Sequence, residues 1–252
     1  MTRVDADPRP VLALFDFDGT LTTRETLPDF LRFAAPRKRL APGRVLFLLP
    51  VLAYKAKLLP VHVLRRWLVR YVFWGLDVAE VERAGRRFAD EVLPTLVRPC
   101  MQARIDAPHR ARGDTVVVVS GGFDVYLAPW CAAQGIELVC SSLASVDGRL
   151  TGHYAGAQCV ADEKVRQVRL RYDLGAYREV HAHGDTHEDL GLLALAQVAT
   201  YRGAAWQGDA RASQARAGDG SGRDAGRRSH RHAALRPRAP GKPHMKTEPP
   251  AR

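Results

Sequence analysis

Two short apolar runs constrain this chain most. Val11 to Phe17 (VLALFDF) ends in acids, Thr115 to Ser120 (TVVVVS) is rich in β-branched valine, and both read as buried strands. Between them lie about 90 residues without a good strand signal, far too long for a loop, so the interval reads as an inserted helical domain. Its clearest helix starts at Asp77, with Glu80 three residues on as in a capping box, and lines Val78, Val81, Gly85, Phe88 and Val92 along one side. Beyond the second run, Glu137–Ser141, Glu179–Gly184 and Val198–Tyr201 read as further strands. Helical patterns cover Asp124–Gln134, Glu163–Asp173 and His187–Gln197, and Asp147-Gly148 marks a hairpin turn. Strands alternating with helices predict a parallel α/β sheet, whose ligands bind at the carboxyl ends of the strands.

The size and composition, 252 residues with 46% hydrophobic and 26% charged, exclude wholesale disorder and a fibrous architecture. No uncharged apolar run reaches the roughly 18 residues of a membrane span. The net charge of +11 invites an anionic partner, but its distribution is uneven. Leu31 to Leu76 holds ten Lys or Arg and no acid, Arg211 to Arg252 carries +8, and the remainder carries −7. Residues beyond about Gly203 are rich in Ala, Gly, Arg and Pro, which predicts a disordered tail. Cys100, Cys131, Cys140 and Cys159 lack metal-finger spacing and read as buried reduced thiols. The N-terminus has no basic region followed by an apolar one, so a cytoplasmic location is expected.

Chemistry concentrates at strand ends. Asp16 and Asp18 leave the first strand two residues apart and can face one site, with Gly19 letting the chain turn close to a ligand. One carboxylate could attack an electrophile while the other serves the leaving group as an acid. Ser120-Gly121-Gly122 offers a hydroxyl and backbone N–H groups to an anion. Lys164 opens a helix, where a lone lysine is more often solvated. Asp185 and Asp189 in GDTHED share a helix face and suit Mg²⁺, although an N-cap alone would explain Asp185. Together these clusters supply the parts that phosphoryl transfer requires.

The set DFDGT (Asp16 to Thr20), SGG (Ser120 to Gly122), Lys164 and GDTHED (Gly184 to Asp189) resembles the haloacid dehalogenase superfamily of phosphohydrolases. The helical insertion after the first motif, and VDGRLTGHYAG before Lys164, resemble its phosphoserine-phosphatase-like branch. The resemblance covers roughly residues 10–202. It implies a Rossmann-like α/β core with a parallel sheet (1–23 and 99–202), an inserted helical cap of the C1 type (24–98), and the tail at 203–252. It also implies roles. Asp16 is the nucleophile that becomes an aspartyl phosphate. Asp18 protonates the leaving oxygen and then activates water. Ser120 and the Gly121 amide hold phosphoryl oxygens, and Lys164 stabilises charge. Mg²⁺ is bound by Asp16, the Asp18 backbone carbonyl and Asp185, with Asp189 supporting. The family usually continues after the last strand with another core helix; here Gly203-Ala204-Ala205-Trp206 and the Arg-rich tail follow, which puts that helix in question.

Substrate selection is expected from the cap. Glu25 lies nine residues after Asp16, where phosphoserine phosphatases carry a glutamate that meets the substrate amine. Val45 to Tyr54 is apolar and split by Pro50, and Val61 to Trp74 sets Arg65, Arg66 and Arg70 among bulky apolar residues. Apolar, aromatic and basic residues without acids fit an interfacial membrane helix, and the arrangement is similar to the cap of phosphatidylglycerophosphatase C. A solvated basic face over apolar packing within the cap is the competing reading. The expected function is therefore a Mg²⁺-dependent phosphomonoesterase acting on a lipid phosphate, peripheral at the inner face of the membrane. A soluble phosphoserine or small-metabolite phosphatase is the alternative. A nucleic-acid binder is a distant third, since no motif for one appears.

Overall fold

The computed structural model describes residues 7–109 and 112–208. The central strand β1 (Val11–Phe15) runs into a wide turn at Phe17–Leu21. The helical insertion follows as α1 (Leu27–Ala34), α2 (Arg37–Leu46), α3 (Leu48–Lys55), α4 (Val61–Phe73), α5 (Val78–Glu91) and α6 (Leu93–Leu96). After α7 (Pro99–Arg104) come β2 (Thr115–Phe123), α8 (Asp124–Gln134), β3 (Glu137–Ser141), β4 (Leu143–Val146) and β5 (Arg149–Tyr154). The chain ends its described part with α9 (Asp162–Arg171), β6 (Glu179–Gly184), α10 (Leu190–Leu193), β7 (Val198–Tyr201) and β8 (Ala204–Ala205).

The main sheet has the order β3-β2-β1-β6-β7-β8, parallel except for β8, and β4-β5 form a separate hairpin. The chain leaves β1 toward β2 and β3 and returns on its other side at β6, so the strand order reverses at β1 and opens a crevice beyond its carboxyl end. Alternation along the strands divides the apolar residues. Ala13, Phe15, Val116 and Val118 face one layer, and Leu12, Leu14, Val117 and Val119 the other. On the first side, Phe30, Phe73 and Phe88 of the insertion pack with Tyr126 of α8 and Phe123, so insertion and sheet share one core. Gly85 permits that union: a Cβ there would lie 2.0 Å from the Val125 carbonyl oxygen, so α5 could not approach α8 with any side chain. The two connecting segments run side by side, Thr23 N–H donating to Leu96 O and Arg98 N–H to Leu21 O.

Several expectations needed correction. The helix expected over His187–Gln197 is broken into a short turn at His187–Asp189 and α10, because Gln197 is drawn to the sheet: its N–H donates to Val180 O and its side-chain oxygen accepts from Val180 N–H. The helix expected to reach Asp173 ends at Arg171, and the Asp173 carboxylate instead accepts from Gly175 N–H in a separate turn. The Asp77 cap forms, accepting from Glu80 N–H at 3.1 Å. Residues 203–208, expected to be disordered, include β8: Arg202 and Gly203, both at positive φ, make the two-residue turn that returns the chain antiparallel onto β7. The rest of the expected tail, 209–252, lies outside the described residues. All four cysteines are free, but Cys100 is exposed and Cys140 half-buried, leaving Cys131 and Cys159 buried as expected. Among the described residues no helix is long and apolar enough to cross a membrane.

Candidate active site

The carboxylates converge where the strands end. Asp16 follows β1 directly, its N–H bound to His183 O of the adjacent β6, and its side chain is buried. Asp185 follows β6, and Asp189 sits one turn further on. Carboxylate oxygens of Asp16, Asp185 and Asp189 lie within 4.8 Å of one another. Lys164, from the first turn of α9, is buried between two of them, donating to Asp16 at 2.5 Å and to Asp189 at 2.6 Å. The solvated lysine that composition favours is thus overturned: the helix start aims its side chain inward.

Each carboxylate is held by separate donors. Asp189 accepts through its other oxygen from the Asp185 and Thr186 N–H groups and the Thr186 hydroxyl. Asp185 accepts from the Thr20 hydroxyl at 3.1 Å. Asp18 accepts from Thr26 N–H at 2.7 Å and from its hydroxyl at 2.6 Å. That hydroxyl is also 3.2 Å from the Tyr126 hydroxyl. Gly19 sits at φ +83°, and a Cβ there would come 2.3 Å from Asp185, so only glycine lets the β1 turn and the β6 loop meet.

The electrostatics follow from burial around one cation. Burial pushes Asp16 up to about 8 against the pull of Lys164, with Asp189 and Asp18 adding repulsion. Burial also raises Asp18 to about 6, with Glu25 adding to it and the Thr26 donors opposing. Asp185 is raised by burial. Asp189 is buried too, yet Lys164 and the Thr186 donors hold it below the usual range. Burial works against the Lys164 charge, but Asp16 and Asp189 more than offset it and the ammonium is retained. One lysine facing Asp16, Asp185 and Asp189 leaves negative charge uncompensated. An all-oxygen set with that excess charge fits a hard divalent cation such as Mg²⁺.

Ser120 is fully buried within β2, and its hydroxyl oxygen accepts from Gly122 N–H at 2.9 Å. The glycines continue the extended strand rather than opening a plain loop, since β2 runs through Phe123. A Cβ on Gly121 would come 2.8 Å from Val160 and 3.3 Å from the Arg65 guanidinium. Of Arg65, Arg66 and Arg70, Arg65 reaches the site and pairs with Glu25 at 3.1 Å. Burial opposes its charge, while Glu25, Glu188 and Asp18 reinforce it. Arg66 borders a groove with Gly152, Tyr154 and Gln158. Arg70 turns to the hairpin instead, donating to Thr151 O and stacking over Trp74, so it is not gathered with the carboxylates. The supporting hydroxyls of Thr20, Thr26, Thr186 and Tyr126 were not assigned from sequence. Thr26 carried the one usable signal, a cap-type residue ahead of Leu27-Pro28, but its hydroxyl serves Asp18 rather than the helix. His183 packs against Phe15 at 4.4 Å and donates to or accepts from Thr200, and burial lowers it to about 3, a neutral core histidine.

Comparison with known proteins fits this geometry. The chain is 36% identical over 202 residues to Protein CicA of Caulobacter vibrioides, covering 77% of this chain and 86% of that protein. A protein of unknown function from Bordetella pertussis Tohama I has a similar structure, with TM-score 0.65 and 22% identity over 83% of this chain and 96% of its own. A probable phosphoserine phosphatase from Vibrio cholerae gives TM-score 0.55 and 18% identity over 77% and 56%. Likeness at those identities is one of fold. A family model described as haloacid dehalogenase-like hydrolase matches residues 13–194. That span runs from within β1 to just past α10, taking in the carboxylate cluster and the whole helical insertion, and the chain belongs to the haloacid dehalogenase-like hydrolases.

Proposed function

We propose that this hydrolase is a Mg²⁺-dependent phosphomonoesterase that works through an aspartyl phosphate on Asp16. The observation that carries the reading is the buried Lys164 bridging Asp16 and Asp189 at 2.5 and 2.6 Å, beside a cluster too negative to be balanced by one lysine. Asp16, the Asp18 backbone carbonyl and Asp185 would hold Mg²⁺, with Asp189 supporting them through Lys164 and the Thr186 turn. When bound, the ion offsets charge on the phosphate and on Asp16, so that the two anions can meet.

Asp16 attacks phosphorus and the bond to the leaving oxygen breaks. Asp18 gives its proton to that oxygen, for which a carboxyl titrating near 6 is suited. As a carboxylate it then takes a proton from water, whose oxygen attacks phosphorus and releases phosphate from Asp16. The Ser120 hydroxyl and the Gly121 N–H hold phosphoryl oxygens, and Lys164 keeps Asp16 oriented and partly neutralised. The domain reading is a core at 1–23 and 99–202 with a cap at 24–98 that covers the substrate.

The favoured substrate is a lipid phosphate. Helix α4 supports it: the helix sends Arg65 to Glu25 near Asp18, while Trp67 on the same helix joins Leu46 and Phe47 in an apolar groove. A soluble phosphoserine-type substrate is the second reading. The Glu25–Arg65 pair favours it, since a carboxylate and a guanidinium match an ammonium and a carboxylate. Phosphate release from a panel of lysophospholipid phosphates and soluble esters, with and without Mg²⁺, tests both. Turnover of lipid phosphates only with Mg²⁺ is expected; strong turnover of phosphoserine selects the second reading, and no turnover of any ester overturns both.

A further inference from the structure

We infer that the exposed face formed by α2, α3 and the outer side of α4 docks on an anionic lipid bilayer. Neither α2 nor α3 buries a residue of its own. Val45, Leu49 and Leu58 are 78%, 74% and 80% exposed, and Leu46, Leu52 and Trp67 are exposed beside them. A monomer seldom leaves so many large apolar side chains of adjoining helices in water. Something therefore covers this face.

Charge decides what. Leu31 to Leu76 carries +10 and no acid. Arg37, Lys38, Arg44, Lys55 and Lys57 are exposed around the apolar residues, and among the described residues none has a carboxylate at ion-pair distance. A second copy meeting this one by the same face would set these five cations against the same five, and Arg211 to Arg252 carries +8, so both are repelled. An anionic bilayer takes the apolar side chains below its headgroups and the cations among them. The inference deepens the lipid-phosphate reading and rests on it for its purpose, because the docked helices adjoin α4, which bears Arg65.

Sedimentation of the full chain with phosphatidylcholine vesicles, with and without phosphatidylglycerol, tests this without turnover, so docking and catalysis can fail separately. At low salt the chain should pellet with the anionic vesicles and stay in solution with the neutral ones. The double change Lys55→Ala and Lys57→Ala should weaken binding about 30-fold. Leu49→Asp should also weaken it, and an unchanged melting temperature in either variant excludes unfolding as the cause. Absence of binding to anionic vesicles, or binding untouched by the two lysine changes, overturns the inference. So does a dimer in solution that Leu49→Asp dissociates, which would make this face a contact between copies.

Discussion

The carboxylate cluster and the α2–α3 face handle the same problem in opposite ways. At the ends of β1 and β6, charged groups are taken out of water and each is tied by short hydrogen bonds to Lys164, Thr20, Thr26 or Thr186. On α2 and α3, which are tied to α4 through Arg39 and Phe47, the outward apolar groups stand in water. Each arrangement costs free energy in the isolated chain, the first through desolvation and the second through unburied apolar area. A fold tolerates such departures from its own rules mainly where it meets something else. The proposed function gives the cluster a cation and an anion at fixed positions. The helix face asks only for a surface.

Changes at the cluster should separate the two regions most sharply. Asp16→Asn removes the proposed attacking carboxylate but keeps its shape, so turnover should fall at least about a thousandfold while the melting curve barely moves. Turnover near the original rate would show that another group is the nucleophile. Lys164→Met strands two buried acids without their cation, and urea titration should show a loss of about 3–5 kcal/mol. A small loss would mean that water reaches Asp16 and Asp189 more freely than their burial implies.

The metal-free protein should also reveal its buried acids in its pH dependence. Asp16 and Asp18 titrate near 8 and 6 rather than at 3.8, so the folded chain holds their protons longer than the unfolded chain does. Their contribution is therefore fully present below about pH 4 and is lost as pH rises through 6 and then 8. Thermal melts across that window should fall with pH in chelator, and added Mg²⁺ should raise the alkaline end most. A pH-independent melt would place the acids in a wetter setting.

Thr26→Val deletes one of two donors to Asp18, a change of about 1 kcal/mol, and the Asp18 limb of the kcat/KM profile should move upward in pH. An unmoved limb would assign it to another group. Leu49→Asp, on the opposing face, should change stability by no more than about 0.5 kcal/mol. A larger loss would mean that Leu49 packs against the protein itself, and the contrast between the regions would collapse.

Much of this was legible in the chain alone. The strands at Glu137–Ser141, Glu179–Gly184 and Val198–Tyr201 and the helix at Asp124–Gln134 stand where apolar runs and glycine stops put them. The cluster at Asp16, Asp185 and Asp189 was readable because acids at successive strand ends meet in any parallel sheet of this winding. The broken helix after His187 was not, since its interruption depends on Gln197 bonding to Val180, a partner on another strand. Nor was β8, which rests on a two-residue turn hidden in a basic, Ala/Gly-rich stretch.

Periodicity and spacing, which are properties of neighbours along the chain, determined by themselves the alternating elements, the long helical insertion and the acids bound for one edge. Only the tertiary structure decided that Lys164 is buried between two carboxylates, that Arg65 turns to Glu25 while Arg70 turns to the hairpin, and that α2 and α3 turn large apolar side chains to water. Those outcomes turn on which surfaces meet across long stretches of chain. Burial and charge pairing are set by such meetings, and no local pattern encodes them.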